Sequence, residues 1–347
     1  MPALMRRSTT LFTLSATVCA LSAALAATSH AEAVAPDGSR LVSTTAAAPA
    51  DSPAPPGATV WSIHSAAMDR DVPVLIQHPA DDSAPRPVLY LLNGDGGGED
   101  SAAWDVSSTA LQFLSGKDAT VVEVLGGRGS YYTDWRNPDP VLGVNKWRTF
   151  LTEELPPIID AALNTNGTNA IAALSSSATS VLQLAEARPD LYRSVASYSG
   201  CAQISDPLGH TFVSTAVAYV GGDADNMYGP EGDPDWAAND PVLHADRLRG
   251  VNLYLSTGSG LPGPHDTLGD PFSLQGLDGL ANQVVVGGAI EAATNLCTHL
   301  FAAKLATLGI PATVDFEPTG THSWGYWNDA LAKSWPVLAA GLGLPPN

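Results

Sequence analysis

Positive charge is what this chain most lacks. Its 16 lysines and arginines stand against 35 aspartates and glutamates, for a formal net charge of −19. A surface of that sign repels phosphate, which excludes nucleic acid as a partner and disfavours tight docking on anionic membranes. Cysteine is scarce, 3 in 347 residues. No Cys/His cluster has zinc-like spacing, so neither a metal nor another cofactor is expected. Long apolar runs are missing too. Leu11 to Leu25 comes nearest, but Ser and Thr break it and it is too short for a membrane span. No other segment reads as long and apolar enough to cross a bilayer.

That N-terminal stretch reads instead as a secretory signal over residues 1–33. Arg6 and Arg7 supply its positive region, and both Ala24-Leu25-Ala26 and Ala31-Glu32-Ala33 fit a cleavage site. A retained anchor is the alternative. Export changes the cysteine arithmetic. Cys19 leaves with the signal, and Cys201 and Cys297 remain as an even pair in an oxidising compartment, expected to form a disulfide. Two buried thiols are the alternative. Residues 34–57 are rich in Ala, Pro, Ser and Thr and read as a flexible spacer, which leaves 58–347 for the ordered domain.

Within that domain strand-like runs alternate with helical ones. Thr59 to Ser65 and Val72 to His78 suit an opening antiparallel pair. Pro87 to Leu92, Ala119 to Leu125 and Asn169 to Leu174 are continuous apolar runs of the kind buried on both faces of a sheet. Ser194 to Ser199, Val251 to Ser256 and Ala312 to Phe316 complete the series. Helical candidates include Trp147 to Asp160 and Ile290 to Leu308, the second stopped by Gly309. This order predicts an α/β fold with a mostly parallel central sheet and helices on both faces, its active site at the carboxyl ends of the strands.

One serine interrupts this pattern in an informative place. Ser175 ends the run Asn169 to Leu174, and a helical segment with Val181, Leu182, Leu184 and Ala185 follows at once. Strand, serine, helix is the context of a nucleophile elbow, in which a sharp turn pushes the hydroxyl out at the top of a sheet. The flanking positions that usually hold Gly are Ala173 and Ser177, small but not glycine. The bland alternative is a serine-rich N-terminal turn of an ordinary helix.

An exposed serine is a weak nucleophile until a base takes its proton. His322, just after the last expected strand, has the chain position for that base; His265, in a Gly/Pro-rich loop, and His299, inside a helical run, are its rivals. The imidazole in turn needs a carboxylate to fix its tautomer. Asp246, Asp270, Asp278, Glu291 and Asp315 all fit the order serine, acid, histidine. Glu291 heads the group narrowly, since an acid in the first turn of a helix also suits the helix dipole with no catalytic role. An oxyanion hole needs backbone N–H groups. The residue after the nucleophile, Ser176, and the Gly-rich loop Asn93-Gly94-Asp95-Gly96-Gly97-Gly98 are the expected sources.

Further stretches point the same way. They include Tyr90-Leu91-Leu92-Asn93-Gly94, Ser130-Tyr131-Tyr132-Thr133-Asp134-Trp135, Lys146-Trp147-Arg148-Thr149-Phe150-Leu151-Thr152, Asp233-Pro234-Asp235-Trp236 and Gly320-Thr321-His322-Ser323-Trp324-Gly325-Tyr326-Trp327. Over roughly residues 58 to 345 the chain resembles the antigen 85 family of mycobacterial and corynebacterial mycolyltransferases, secreted enzymes of α/β-hydrolase fold. The resemblance implies Ser175 as nucleophile, His322 as base and Glu291 as acid, with oxyanion amides at Asp95 and Ser176. It also implies substrate contacts at Asn93, where the family has a sugar-contacting carboxylate, and at Trp324. Besides Ala173 and Asn93, the departures from the family pattern are Gly96 in place of an arginine, Asp95 in place of a leucine, and no cysteine over residues 137–145, where the family has a disulfide.

The function so implied is transfer of a mycolyl or other long acyl group between trehalose esters, or to cell-wall arabinogalactan, through a serine acyl-enzyme. The implied setting is extracellular and cell-wall associated, with no transmembrane span in the mature chain. Two alternatives stay open: a secreted carboxylesterase with water as acceptor, and an inactive relative that binds the cell wall. Trp104, Trp135, Trp147 and Trp324 could line a sugar or lipid surface, and each is by default also a large core residue.

Overall fold

Continuous apolar runs bounded by turn residues build the centre of the molecule. The computed structural model describes residues 33–47, 57–79, 81 and 83–347. Strands β1 (Arg40–Ala46), β2 (Thr59–Ser65), β3 (Arg70–Gln77), β4 (Val88–Leu92), β5 (Thr120–Val124), β6 (Asn169–Leu174), β7 (Tyr192–Tyr198), β8 (Asn252–Thr257) and β9 (Thr313–Phe316) form one sheet. Its order is β1-β2-β3-β5-β4-β6-β7-β8-β9. Strands β1 to β3 join antiparallel, β3 meets β5 antiparallel, and β5 through β9 are parallel. This is the α/β-hydrolase architecture.

Alternation along each central strand feeds two apolar layers. Val88, Tyr90 and Leu92 of β4 enter one layer, with helices α1 (Leu155–Leu163), α2 (Ser176–Ala187) and α3 (Gly276–Leu308). Leu89 and Leu91 enter the other, under helix α4 (Trp324–Leu342). Each fully buried large apolar side chain contributes roughly 1.5–3 kcal/mol. The layers therefore fix where every strand ends, and those ends carry the chemistry.

Two expectations need correction. Residues 34–57 are not all spacer. Arg40–Ala46 pairs with β2 as an edge strand, and Ala33 and Ala35 are buried in the core. Its small, polar residues resemble a linker because only one edge of the strand is paired and most of it faces water. Residues 48–56 of that stretch, and the expected signal apart from Ala33, lie outside the described residues. The helix expected over Ile290 to Leu308 begins earlier. It runs as an α-helix over Gly276–Asn282, one π turn over Gln283–Gly287 and an α-helix again over Gly288–Leu308. Its 33 residues make it the one described helix long and apolar enough to span a bilayer by length and composition. The sequence hides that continuity behind Gln283 and repeated Gly and Ala. In the fold, Phe301 and Leu305 pack against the sheet and Glu291 is buried.

Cys201 and Cys297 are joined as a disulfide that closes a 96-residue separation and ties α3 to the segment after β7. Closing a loop of about that length stabilises by on the order of 4–5 kcal/mol in the chain-entropy account. The double variant Cys201→Ser/Cys297→Ser is therefore expected to unfold at a markedly lower urea midpoint than the oxidised parent. Equal midpoints would contradict this role.

Candidate active site

The strand β6 ends at a residue whose backbone no ordinary turn would choose. Ser175 has φ 59° and ψ −133°, a strained conformation for a side-chain-bearing residue. Its N–H donates to the Tyr198 carbonyl at 2.9 Å, which holds the turn against β7. Helix α2 starts at the next residue. The room for this sharp turn comes from close backbone approaches. A Cβ on Gly94 would lie 2.9 Å from Leu174 Cδ1 and 3.4 Å from Ser175 Cβ, so the Gly-rich loop rests directly on the serine. The Ser177 hydroxyl donates to the Asn93 carbonyl and pins loop to helix.

The strain aims a hydroxyl. Ser175 Oγ donates to His322 Nε2 at 2.8 Å, across 147 positions of chain. His322 Nδ1–H donates to Glu291 Oε2 at 2.8 Å. The ring packs edge-on against Trp327, with centroids 4.8 Å apart. Glu291 is 1% exposed, yet its charge is fully met. Its Oε1 accepts from Ser199 Oγ at 2.8 Å, Thr257 Oγ1 at 3.0 Å and the Gly258 N–H at 2.6 Å. A buried carboxylate held by that many donors keeps its place.

The rival residues are engaged elsewhere. His265 bridges Asp270 at 2.8 Å and Asp329 at 3.0 Å. His299 stacks on Phe316. Asp315 serves Tyr254 and Lys333. The helix-dipole explanation for Glu291 also falls, because α3 begins 15 residues earlier, at Gly276. Ser199 and Thr257 were not singled out in the sequence. Their one signal there is their place at the C-terminal ends of β7 and β8, where such sheets carry chemistry.

Asp95 lies in the turn after β4, and Ser176 opens the first turn of α2, where backbone N–H groups have no intrahelical partner. Both amides belong to the two segments that meet at Ser175. The loop is held from behind, since the Asp95 carbonyl accepts from the Gly129 N–H at 2.8 Å and Glu99 accepts from the Gly127 N–H at 3.0 Å. Burial pushes the Asp95 carboxyl up to about 7, with Arg128 opposing and Asp100 adding.

Asn93 departs from its expected role. It is fully buried, with its side chain bonded inward to β5. Its Nδ2 donates to Glu123 Oε1 at 3.0 Å and to the Val124 carbonyl at 3.1 Å, and its Oδ1 accepts from the Trp104 N–H at 3.0 Å. An amide placed directly at a strand end is used to tie β4 to β5, which the residue type alone does not reveal. Trp104, Trp135 and Trp147 are core residues. Trp324 alone of the four is partly exposed, beside the histidine loop and edge-on to Trp104 and Trp327. Among the described residues no group of three or more His, Cys, Asp or Glu is placed to hold a metal ion.

The family model described as "Putative esterase" matches residues 65–338. The diacylglycerol acyltransferase/mycolyltransferase Ag85A of Mycobacterium ulcerans is 32% identical over 290 residues, 82% of each chain. The Ag85A protein of Mycobacterium leprae is 31% identical over 316 residues, 89% of this chain and 91% of that one. Among solved structures, Mycobacterium tuberculosis MPT51 matches with a TM-score of 0.65 at 24% identity, over 80% of this chain and 96% of that one. An S-formylglutathione hydrolase from Agrobacterium tumefaciens matches at 0.62 and 14% identity, over 87% and 99%. These two likenesses speak for the fold.

Beneath the Gly-rich loop, Glu123 is fully buried and its Oε2 has no hydrogen-bond partner. Burial, reinforced by the charge of Asp105, pushes its carboxyl up to about 8 from an ordinary 4.5. The folded state thus keeps a proton that the unfolded chain releases. That contribution to stability is complete below about pH 4.5 and is lost as pH rises through about 8. Glu123→Gln keeps the neutral shape, so it is expected to flatten the fall in melting temperature across that window. An unchanged slope would contradict a buried neutral Glu123.

Proposed function

The chain belongs to the antigen 85 family of mycolyltransferases, and on that premise we propose that it is a serine acyltransferase that moves a long acyl group between sugar hydroxyls through a Ser175 ester. The observation that carries this reading is the unbroken relay from Ser175 Oγ through His322 to Glu291, each link 2.8 Å. As Oγ attacks the ester carbonyl, Nε2 takes its proton. The Asp95 and Ser176 amides stabilise the oxyanion. The tetrahedral centre then collapses, the C–O bond to the leaving alcohol breaks, and His322 returns the proton to that oxygen. An acceptor hydroxyl reverses the sequence. Glu291 holds the imidazole in the tautomer that both halves require.

The donor we propose is a trehalose mycolate or related glycolipid, and the acceptor a second trehalose ester or cell-wall arabinogalactan. The proposed setting is extracellular, at the cell wall, after removal of a signal over residues 1–33 and with no transmembrane span in the mature chain. Trp324, partly exposed beside the histidine, is the proposed substrate-facing aromatic. The wired relay argues against an inactive wall-binding relative. One observation favours a second reading, hydrolysis by water: Asn93 is turned inward, so the position where the family contacts sugar offers no side chain to an acceptor.

Incubation of the protein with a trehalose monoester separates the two. Transfer predicts the diester and free trehalose, whereas free acid as the sole product would reject transferase activity. Ser175→Ala should remove turnover while leaving the melting temperature near that of the parent. Residual activity above about 10⁻² of the parent would reject Ser175 as nucleophile, given the usual size of triad losses. Glu291→Gln is expected to cost about 10⁴-fold in kcat, as loss of the tautomer-fixing acid does elsewhere. A near-normal rate would move the acid to another residue.

A further inference from the structure

Glu291 and His322 lie on separate segments, and their 2.8 Å contact requires those segments to keep register. Part of that register is backbone. The His322 N–H donates to the Gly287 carbonyl at 3.1 Å, at the end of the π turn. The loop after β8 zips to the histidine loop, Gly260 N–H to the Gly320 carbonyl at 2.8 Å and Gly320 N–H to the Leu261 carbonyl at 2.7 Å. One side chain then touches all three parties. Asp266 Oδ1 accepts from Thr321 Oγ1 at 2.6 Å and from Gln283 Nε2 at 2.8 Å. Its Oδ2 accepts from Tyr326 Oη at 2.6 Å and from the Gly263 N–H at 2.8 Å. Thr321 is the residue before the catalytic histidine. Gln283 opens the π turn of the helix that carries Glu291. Tyr326 lies in the first turn of α4.

From this convergence, and resting on the triad read above, we propose that Asp266 is a positioning residue that holds the His322 loop and the Glu291 helix in register through Thr321 and Gln283. It sits outside the reacting atoms and acts through other residues. The carboxylate is the group the place requires. All four donors point at it, and an isosteric amide has one acceptor oxygen for two donor pairs. Burial works against the charge, but the hydrogen bonds from Thr321, Tyr326, Gln283 and Gly263 outweigh it and hold the Asp266 carboxyl below the usual carboxylate range. A π turn at Gln283 gives the helix the extra residue that lets Gln283 face Asp266 while Glu291 still faces His322. Such turns cluster at functional sites in proteins generally.

The test pairs Asp266→Asn with Thr321→Val, which removes the bond from the histidine loop to Asp266 and a longer one, 3.4 Å, to Ser323 Oγ, and with Asp329→Asn. The last variant loosens the loop that carries Asp266 by weakening its His265 contact with α4, but leaves the Asp266 bonds intact. Three readouts are taken: kcat against KM for an acyl ester, melting temperature, and the low-field proton resonance of His322 Nδ1–H. Asp266→Asn and Thr321→Val are expected to lower kcat by on the order of 10- to 100-fold, the scale of small misplacements of a catalytic group. KM should stay within about threefold, and the low-field resonance should broaden or move. Asp329→Asn should lower the melting temperature with kcat and the resonance unchanged. If Asp266→Asn fails to fold, Thr321→Val carries the same prediction. The proposal is overturned if the resonance stays in place, or if loss of kcat follows loss of melting temperature across all three variants. Because the resonance needs no turnover, a failure of the acyl-transfer reading and a failure of the positioning role remain distinguishable.

Discussion

A buried carboxylate organises this molecule. Glu291 lies almost wholly out of water, where a bare charge is costly, and it persists because Ser199, Thr257, Gly258 and His322 all donate to it. Those donors come from the ends of β7 and β8 and from the loop after β9. Satisfying one charge therefore brings three strand ends and one helix to a point. The imidazole is fixed as a by-product, and the strained serine at the end of β6 finds a base already aimed at it.

The rest of the architecture serves that convergence. Central strands apolar on both faces leave the sheet no freedom to slide, so their carboxyl ends form a stable rim. Gly94 and the small residues around Ser175 let the Gly-rich loop approach closely. The disulfide between Cys201 and Cys297 ties the acid-bearing helix to the segment two residues beyond Ser199. Asp266 closes the remaining side. Glu123 beneath the Gly-rich loop binds Asn93 and the Trp104 N–H, so a buried side chain props the loop that rests on Ser175.

Much of the fold was legible because its signals are local. Apolar runs such as those of β4 and β6 declare strands buried on both faces, and a serine between strand and helix declares the elbow. His322 was legible from its place after the last strand. What escaped depends on geometry that sequence does not carry. By chain order alone Glu291 was one of five acids in a strongly acidic chain, and three-dimensional proximity separates it from Asp270, which serves His265. Arg40–Ala46 looked like linker because an exposed edge strand needs no apolar face. Asn93 was expected at the substrate because the family carries a sugar-contacting carboxylate there, whereas here it faces inward to Glu123. The family resemblance located the site and pointed to Glu291, but not to the placements of Arg40–Ala46 and Asn93.

The central claim is that Ser175, made nucleophilic by His322, carries the acyl group covalently. Rapid quenching of the protein with a long-chain acyl ester, followed by mass spectrometry of its peptides, tests that most directly. The account predicts an ester adduct of the acyl mass on Ser175, formed and consumed at rates matching turnover. Turnover with an unmodified Ser175, or with the adduct on another residue, would contradict it.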